Sequence, residues 1–133
     1  MNVIAAHCAT KSGLFDPEYF HVFEDMLREH TNLYGDTSAF NVPMRGRHLR
    51  ACLEPRIAER LIHGSDLPVP VFGHWAWARR FITWTEFRRT VAIQNLLERD
   101  YQIKLAMGFS SEHFTRINGL LPKKRPKPVE QQT

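Results

Sequence analysis

The chain has 133 residues, of which 43% are hydrophobic and 24% are charged. These values are ordinary for one globular domain with its own core. The formal net charge is +4, but four basic residues lie within the last eleven positions: Lys123, Lys124, Arg125 and Lys127. The rest of the chain is close to neutral, so charge alone does not indicate a nucleic-acid-binding protein.

Neither the cysteines nor the N-terminus indicates a secreted or membrane protein. Cys8 and Cys52 lack the CxxC spacing of zinc ribbons and redox motifs. The N-terminal residues have no basic stretch and too short an apolar run for a signal peptide. No segment is long and apolar enough for a membrane span. The expected location is the cytoplasm, with both thiols reduced.

The first third of the chain alternates between predicted strands and helices. Residues 3–6 are wholly apolar, which is typical of a strand buried on both faces of a parallel sheet. Asp16 and Pro17 are typical of a helix start. The apolar side chains that follow recur at three- and four-residue spacing, as on one face of a helix. Residues 33–37 form the second predicted strand.

The same alternation continues through the middle of the chain. A second helix is predicted over residues 47–60, although Pro55 is expected to break it or shift its start. Residues 60–63 form the third predicted strand, which ends at Gly64-Ser65-Asp66. The order strand, helix, strand, helix, strand predicts an α/β fold with a parallel sheet and right-handed crossovers.

The second half is predicted to be mostly helical. The Pro-rich and aromatic residues 67–77 are predicted to form an irregular loop at a strand exit, where ligand contacts usually lie. Helices are predicted over residues 95–107, with Asp100 on the solvated face, and over residues 110–121. The Pro-, Lys- and Gln-rich residues 122–133 are predicted to form a disordered basic tail.

Two polar residues follow predicted strands at the same edge of the sheet. His7 follows the first strand and Asp66 the third, and the C-terminal ends of parallel strands are where catalytic groups collect. An imidazole and a carboxylate there could bind zinc or act on a metal-bound water. Both residues also have structural explanations, a hydrogen bond within the fold and a turn or helix cap. Spacing alone favours the structural explanations.

Three segments together resemble a known enzyme family. Residues 3–8 (VIAAHC), 32–38 (NLYGDTS) and 61–68 (LIHGSDLP) are similar, in order and spacing, to the last three strands of the amidohydrolase superfamily, in its amidohydrolase-related branch. The resemblance covers nearly all of residues 1–121. It implies a partial (β/α)8 TIM barrel, with about the last three strand-helix units followed by C-terminal helices. A complete barrel needs roughly 250 residues, so the chain would be only the C-terminal portion of a metal-dependent hydrolase.

The resemblance implies a role for each strand end. Asp66 matches the metal-binding, proton-accepting Asp of the eighth strand. His7 matches the sixth-strand His, which binds a second metal or contacts the substrate or catalytic water. Ser38, and less closely Asp36, match the seventh-strand position. The family's His-x-His pair, fourth-strand bridging residue and fifth-strand His have no counterpart here. Zinc is therefore expected in a complete enzyme, but this chain alone is expected to bind it weakly and to be inactive.

Several assignments stay open. The reaction would be attack on a carbonyl-type carbon of a small molecule, or decarboxylation, which also occurs in this superfamily. Trp75, with Ser38, could line the substrate pocket, or the indole could cover the core. His63 is expected to be structural. Two hypotheses without catalysis are a small α/β module that self-associates through open sheet edges, and a polyanion-binding protein that acts through residues 122–133.

Overall fold

The structure is a computed structural model, and it describes residues 1–121. Three short parallel strands form one sheet in the order β1-β2-β3: β1 (Val3–Ala5), β2 (Leu33–Asp36) and β3 (Leu61–Ile62). The predicted α/β class and the parallel sheet are therefore confirmed. The predicted basic tail, residues 122–133, lies outside the described residues.

The central strand, β2, packs closely enough to require a glycine. Gly35 pairs with Ala5 of β1 on one side and with Leu61 of β3 on the other. A Cβ atom at this position would lie 2.8 Å from Cys8 Sγ and 3.1 Å from Leu61 Cδ2. These distances are shorter than normal van der Waals contacts, so β2 can approach its neighbours this closely only because glycine has no side chain.

Within the described residues there are nine α-helices, most of them of one or two turns: α1 (Phe20–Glu29), α2 (Pro43–Gly46), α3 (Leu49–Cys52), α4 (Pro55–Ala58), α5 (His74–Ala78), α6 (Trp84–Val91), α7 (Leu96–Met107), α8 (Ser111–Thr115) and α9 (Ile117–Leu120). None of these helices between residues 1 and 121 combines the length and apolar composition that crossing a bilayer requires.

Helix α1 begins later than the sequence pattern predicts. Asp16 does not cap it, because Asp16 Oδ2 accepts a hydrogen bond from the backbone N–H of Gly13 at 2.7 Å and closes a turn instead. The helix starts at Phe20, and it buries Phe20 and Phe23 against the core. The predicted start at Asp16 and Pro17 is therefore wrong, because the Asp16 carboxylate closes the preceding turn and does not cap the helix.

The single helix predicted over residues 47–60 is also wrong, because two one-turn helices, α3 and α4, occupy this region. Glu54 has the extended angles φ −63° and ψ 133°, as expected for a residue that precedes proline. Pro55 then takes the first position of α4, where its missing N–H costs no hydrogen bond. The predicted break at Pro55 is confirmed.

The aromatic segment predicted as an irregular loop contains a helix, α5. A further helix, α6, follows, and Thr83 and Glu86 at its start have the T-x-x-E spacing of a capping box. Thr83 Oγ1 accepts from the backbone N–H of Glu86 at 3.2 Å, and Glu86 Oε2 accepts from the backbone N–H of Thr83 at 2.7 Å. This reciprocal pair is a capping box, which satisfies two amides at the helix start.

The last long helix, α7, agrees with the prediction in position but not in exposure. The Asn95 side chain caps its start, and Gly108 ends it in a left-handed conformation, with φ 108°. Asp100, predicted on the solvated face, is fully buried. The helix predicted over residues 110–121 is divided into α8 and α9.

Strand β1 is only half-buried, although its apolar sequence predicts burial on both faces. Val3 is 44% exposed and Ile4 is 43% exposed, because β1 is an edge strand. Ile4 lies in a shallow depression with apolar neighbours from α9 and the N-terminus: Met1, Ile117, Leu120 and Leu121. An apolar strand with one unpaired edge is a ready surface for association.

We expect the chain to self-associate through β1, and Ile4→Lys to reduce that association by placing a charge on the open edge. Light scattering after size-exclusion chromatography should give the wild type a mass above 15.5 kDa and the variant a mass near that of one chain. Val22→Lys is the matched control, because Val22 is similarly exposed, at 40%, on α1. A wild-type protein that stays monomeric as its concentration rises would contradict this expectation.

Candidate functional site

The structure brings His7 and Asp66 together at the C-terminal edge of the sheet. His7 lies in the tight turn Ala6–Ala9 after β1, and Asp66 lies four residues after the end of β3. His7 Nε2 and Asp66 Oδ2 are 4.0 Å apart, and the two side chains are 21% and 31% exposed. Asp36 ends β2 between them, and its Oδ1 atom lies 3.7 Å from His7 Nδ1. One ionisable side chain from each strand end thus faces the same small region.

The backbone is strained where both candidate residues lie. His7 and Cys8 have φ 53°, Ala9 has φ 56°, and Asp66 has φ 61°. The left-handed conformation costs a non-glycine residue roughly 1–2 kcal/mol, and it persists only where surrounding contacts enforce it. Such strain concentrates at functional sites, so it favours a functional role for these two turns.

Asp36 supplies the contacts that enforce the first of these turns. Its Oδ1 atom accepts hydrogen bonds from the backbone N–H of His7 at 3.1 Å and from that of Ser38 at 2.9 Å. The Cys8 thiol donates to the backbone carbonyl of Asp36 at 3.2 Å. The Asp36 carboxylate therefore joins the ends of β1 and β2, which is a positioning task rather than a catalytic one.

Ser38 orients the His7 ring through its backbone rather than through its hydroxyl. The Ser38 carbonyl lies 3.3 Å from His7 Nδ1, and a carbonyl can only accept. The Ser38 hydroxyl lies against Gly64, where a Cβ atom would collide with it. The predicted contact of Ser38 with a substrate stays a prediction.

Arg45, on α2, is a residue of this site that the sequence patterns did not indicate. Its Nη1 atom donates to Asp66 Oδ2, and it lies 2.7 Å from His7 Nδ1 and 2.8 Å from His7 Nε2. Its Nη2 atom donates to Ser12 Oγ at 2.9 Å. Arg45 belongs to no recognisable motif, and the only signal was its position in the segment after β2, on the edge where the site lies.

A buried ion pair supports the Asp66 segment from behind. Lys104 Nζ, on α7, donates to Asp100 Oδ2 at 2.8 Å and to the backbone carbonyl of Gly64 at 2.6 Å, and both charged side chains are fully buried. Burial lowers the pKa of Lys104 and raises that of Asp100, while the mutual attraction opposes both shifts. The i,i+4 spacing of this pair was visible in the sequence, but its burial was not.

Two histidines next to this pair are held neutral. Burial lowers the pKa of His63 to about 4, with the nearby Lys104 charge adding to the shift. Burial also lowers the pKa of His113 to about 3, and His113 Nε2 lies 2.9 Å from Thr37 Oγ1. His63 packs on Phe114, with ring centroids 5.0 Å apart. These contacts belong to the packing of α8 on β3.

Trp75 has well-defined packing contacts. Its ring centroid lies 5.3 Å from that of Phe81, and a Cβ atom at Gly46 would lie 2.6 Å from the indole. The indole therefore packs against α2, the helix that carries Arg45. Its predicted contact with a substrate stays a prediction.

The metal-ligating groups at this site are too few to hold zinc unaided. Zinc in proteins takes three or four protein ligands, and residues 1–121 contain no cluster of three or more His, Cys, Asp or Glu placed to hold a metal. His7 and Asp66 supply two donors, and the Arg45 guanidinium lies against both.

Comparisons with known proteins add no family assignment. No family model matches the chain, and no curated protein or solved structure matches it either. The geometry of the site is therefore what supports the function proposed below.

We expect Asp36→Ala to destabilise the fold by roughly 1.5–3 kcal/mol, because two backbone amides lose a charged acceptor. Urea unfolding followed by circular dichroism measures this loss. Asp25→Ala is the matched control, since Asp25 pairs with Arg28 on the surface of α1 and should cost less than about 1 kcal/mol. Equal losses in the two variants would show that Asp36 does not anchor the turn.

The neutral His113 should make the fold sensitive to acid. In the unfolded chain His113 gains a proton below about pH 6.5, but in the folded chain it does so only near pH 3. Its contribution to stability is therefore complete above pH 6.5 and is lost as the pH falls towards 3. The loss is roughly 2 kcal/mol at pH 5.

This acid sensitivity is measured as the difference between variants, since Asp100, with its raised pKa, acts in the opposite direction. We expect His113→Gln, relative to wild type, to lose less stability between pH 7 and pH 5 in urea unfolding. His21→Gln, at an exposed position of α1, should keep the wild-type dependence. A His113→Gln profile parallel to that of the wild type would contradict the assignment.

Proposed function

We propose that this chain is the C-terminal portion of a metal-dependent hydrolase of the amidohydrolase type. In this proposal the sheet corresponds to the last three strands of a TIM barrel, and His7 and Asp66 form part of the active site. The observation that carries the proposal is the 4.0 Å approach of His7 Nε2 and Asp66 Oδ2 at the C-terminal edge of one parallel sheet.

The orientation of the two side chains supports this proposal. His7 Nδ1 lies 3.3 Å from a backbone carbonyl, and a carbonyl partner at Nδ1 is the usual support of a histidine that binds a metal through Nε2. Asp66 carries a partly exposed carboxylate that can accept a proton. A bound metal in such an enzyme supplies activated water for attack on a carbonyl-type carbon. A decarboxylase of the same superfamily would use the same strand ends on a small-molecule substrate.

The open edge of β1 supports the view that further strands complete the site. Val3 and Ile4 belong to an apolar strand, yet both are more than 40% exposed. A preceding parallel strand would pair with this edge and cover the exposed side chains. The missing ligands would come from such additional strands, so the chain by itself is proposed to be inactive.

A non-catalytic α/β module is the second candidate, and Arg45 favours it. The guanidinium contacts both His7 and Asp66, so the chain itself already supplies a counter-charge to Asp66. In that case the strand ends would serve folding or association with another chain.

The coding sequence upstream of Met1 provides the test. We expect an in-frame His-x-His segment there, and we expect the extended protein to contain zinc and to hydrolyse p-nitrophenyl acetate. Asp66→Asn should lower its activity by roughly 100-fold or more, as the loss of a proton acceptor does. It should also lower the zinc content measured by elemental analysis.

His21→Gln in the extended protein is the control, because His21 lies on the exposed face of α1. It should leave zinc content and hydrolysis unchanged. An upstream frame without His-x-His, or an Asp66→Asn protein that keeps both zinc and activity, would rule out the hydrolase proposal and favour the non-catalytic module.

A further inference from the structure

Exposed aromatic and arginine side chains share one surface, which is formed by α5, α6 and the residues beside them. Trp77 and Trp84 are 43% and 52% exposed, and Phe72 is exposed as well. Four exposed arginines lie on α6 or directly after α5: Arg79, Arg80, Arg88 and Arg89. These seven residues are called the Trp–Arg surface below. None of them contributes to the hydrogen bonds at His7 and Asp66 described above.

The two exposed indoles are held in place by a buried ring. Phe87 is only 7% exposed and belongs to the hydrophobic core. It stacks on Trp77 and on Trp84, at interplanar angles of 24° and 30°, and the centroids of the two indoles are 5.1 Å apart. Rings that are fixed in this way lose little conformational freedom when a ligand stacks on their solvent side.

The arginines of this surface form no ion pair within the described residues. The arginines that do form ion pairs in residues 1–121 are others: Arg28, Arg45, Arg47 and Arg56. The single carboxylate of α6, that of Glu86, is held by Thr83 in the capping box. An anionic ligand would therefore meet four guanidinium groups, each of which can bind a phosphate through two parallel hydrogen bonds.

Arg80 occupies a backbone position that favours glycine. It follows α5 with φ 59°. Its backbone N–H donates to the carbonyl of Trp77 at 2.9 Å, and the N–H of Phe81 donates to the carbonyl of Ala76 at 2.8 Å. These two bonds form a Schellman motif, in which the left-handed residue is usually glycine. Glycine would make the same bonds without strain, so the fold itself gives no reason for an arginine here.

We propose that the Trp–Arg surface binds single-stranded nucleic acid, with phosphates on the arginines and bases stacked on the exposed faces of Trp77 and Trp84. Aromatic rings set among cationic side chains are the combination that binds such strands without a strong sequence preference. A duplex offers its phosphates to the arginines but keeps its base faces stacked inside. The proposal goes beyond the hydrolase proposed above and does not depend on it.

The arrangement of α6 disfavours two other occupants of this surface. A helix that lies in a membrane surface turns a continuous apolar face towards the lipid, but α6 turns Phe87 and Thr90 into the core. On its outer side Arg88 lies one turn after Trp84, so charge interrupts the apolar area. A second copy of the same surface would bring arginines against arginines.

Fluorescence anisotropy of a labelled oligo(dT) of about 20 nucleotides, titrated with the full chain at roughly 50 mM salt, tests the proposal. We expect Trp84→Ala to weaken binding about tenfold and Arg80→Gly to weaken it about threefold or more. Arg80→Gly should also raise the temperature of unfolding, because it relieves the left-handed strain. Its loss of binding is then not a loss of folding.

The matched controls are Phe15→Ala and Arg28→Ala, which should bind as the wild type does. Phe15 is 99% exposed, and Arg28 lies on the surface of α1. Changing Lys123, Lys124, Arg125 and Lys127 to alanine separates the Trp–Arg surface from the basic C-terminal residues. The effects of Trp84→Ala and Arg80→Gly should persist in that background.

Two competitors test whether bases are required. Poly-glutamate and a duplex of the same length should compete at least about tenfold less well than oligo(dT), because neither offers unstacked bases. Circular dichroism reports whether Trp84→Ala is folded, and Arg80→Gly alone decides if it is not.

The proposal is overturned if oligo(dT) does not bind below about 100 µM, or if a folded Trp84→Ala or Arg80→Gly protein binds it as tightly as the wild type. It is also overturned if poly-glutamate competes equally well, which would assign the surface to an acidic protein. Binding to phosphatidylserine vesicles that depends on Trp84, without binding to oligo(dT), would assign it to a membrane instead.

Discussion

Asp36 Oδ1 accepts hydrogen bonds from the backbone amides of His7 and Ser38, and the geometry of the candidate site depends on this pair of bonds. They hold the turn after β1 in a left-handed conformation that a non-glycine chain would otherwise leave. They also place the Ser38 carbonyl beside His7 Nδ1, at a distance of 3.3 Å. Without this carboxylate the turn that carries the imidazole would lose the hydrogen bond at its His7 amide.

The other half of the site depends on a buried charge. Lys104 reaches from α7 to the carbonyl of Gly64, two residues before Asp66, and Asp100 balances its charge. Leaving a buried ammonium unpaired costs several kcal/mol, so the strand exit and the helix must keep their relative positions. The two candidate residues are thus held in different ways. Asp36 holds His7 through hydrogen bonds to backbone amides, and the Lys104–Asp100 ion pair holds the segment that leads to Asp66. Arg45 contacts both candidate residues.

The sequence was informative wherever the determinant was local. Strands were predicted at all three places where the sheet has them, and Asn95 and Gly108 bounded α7 because caps act within a few residues. It was misleading where local signals competed. Asp16 could cap a helix or close a turn, and residues 47–60 combined helical spacing with a proline. The His and Asp at the strand ends were identified from sequence, because parallel strands end on one edge.

By itself, the sequence determined the alternation of strands and helices, the parallel direction of the strands and the edge of the sheet on which His7 and Asp66 lie. Only the tertiary structure decided which side chains surround them. Arg45, Asp36 and Lys104 come from three different elements, separated by up to 68 positions from the first of them to the last. No spacing rule joins such residues, because they come together around His7 and Asp66 only when segments distant in the sequence fold against one another.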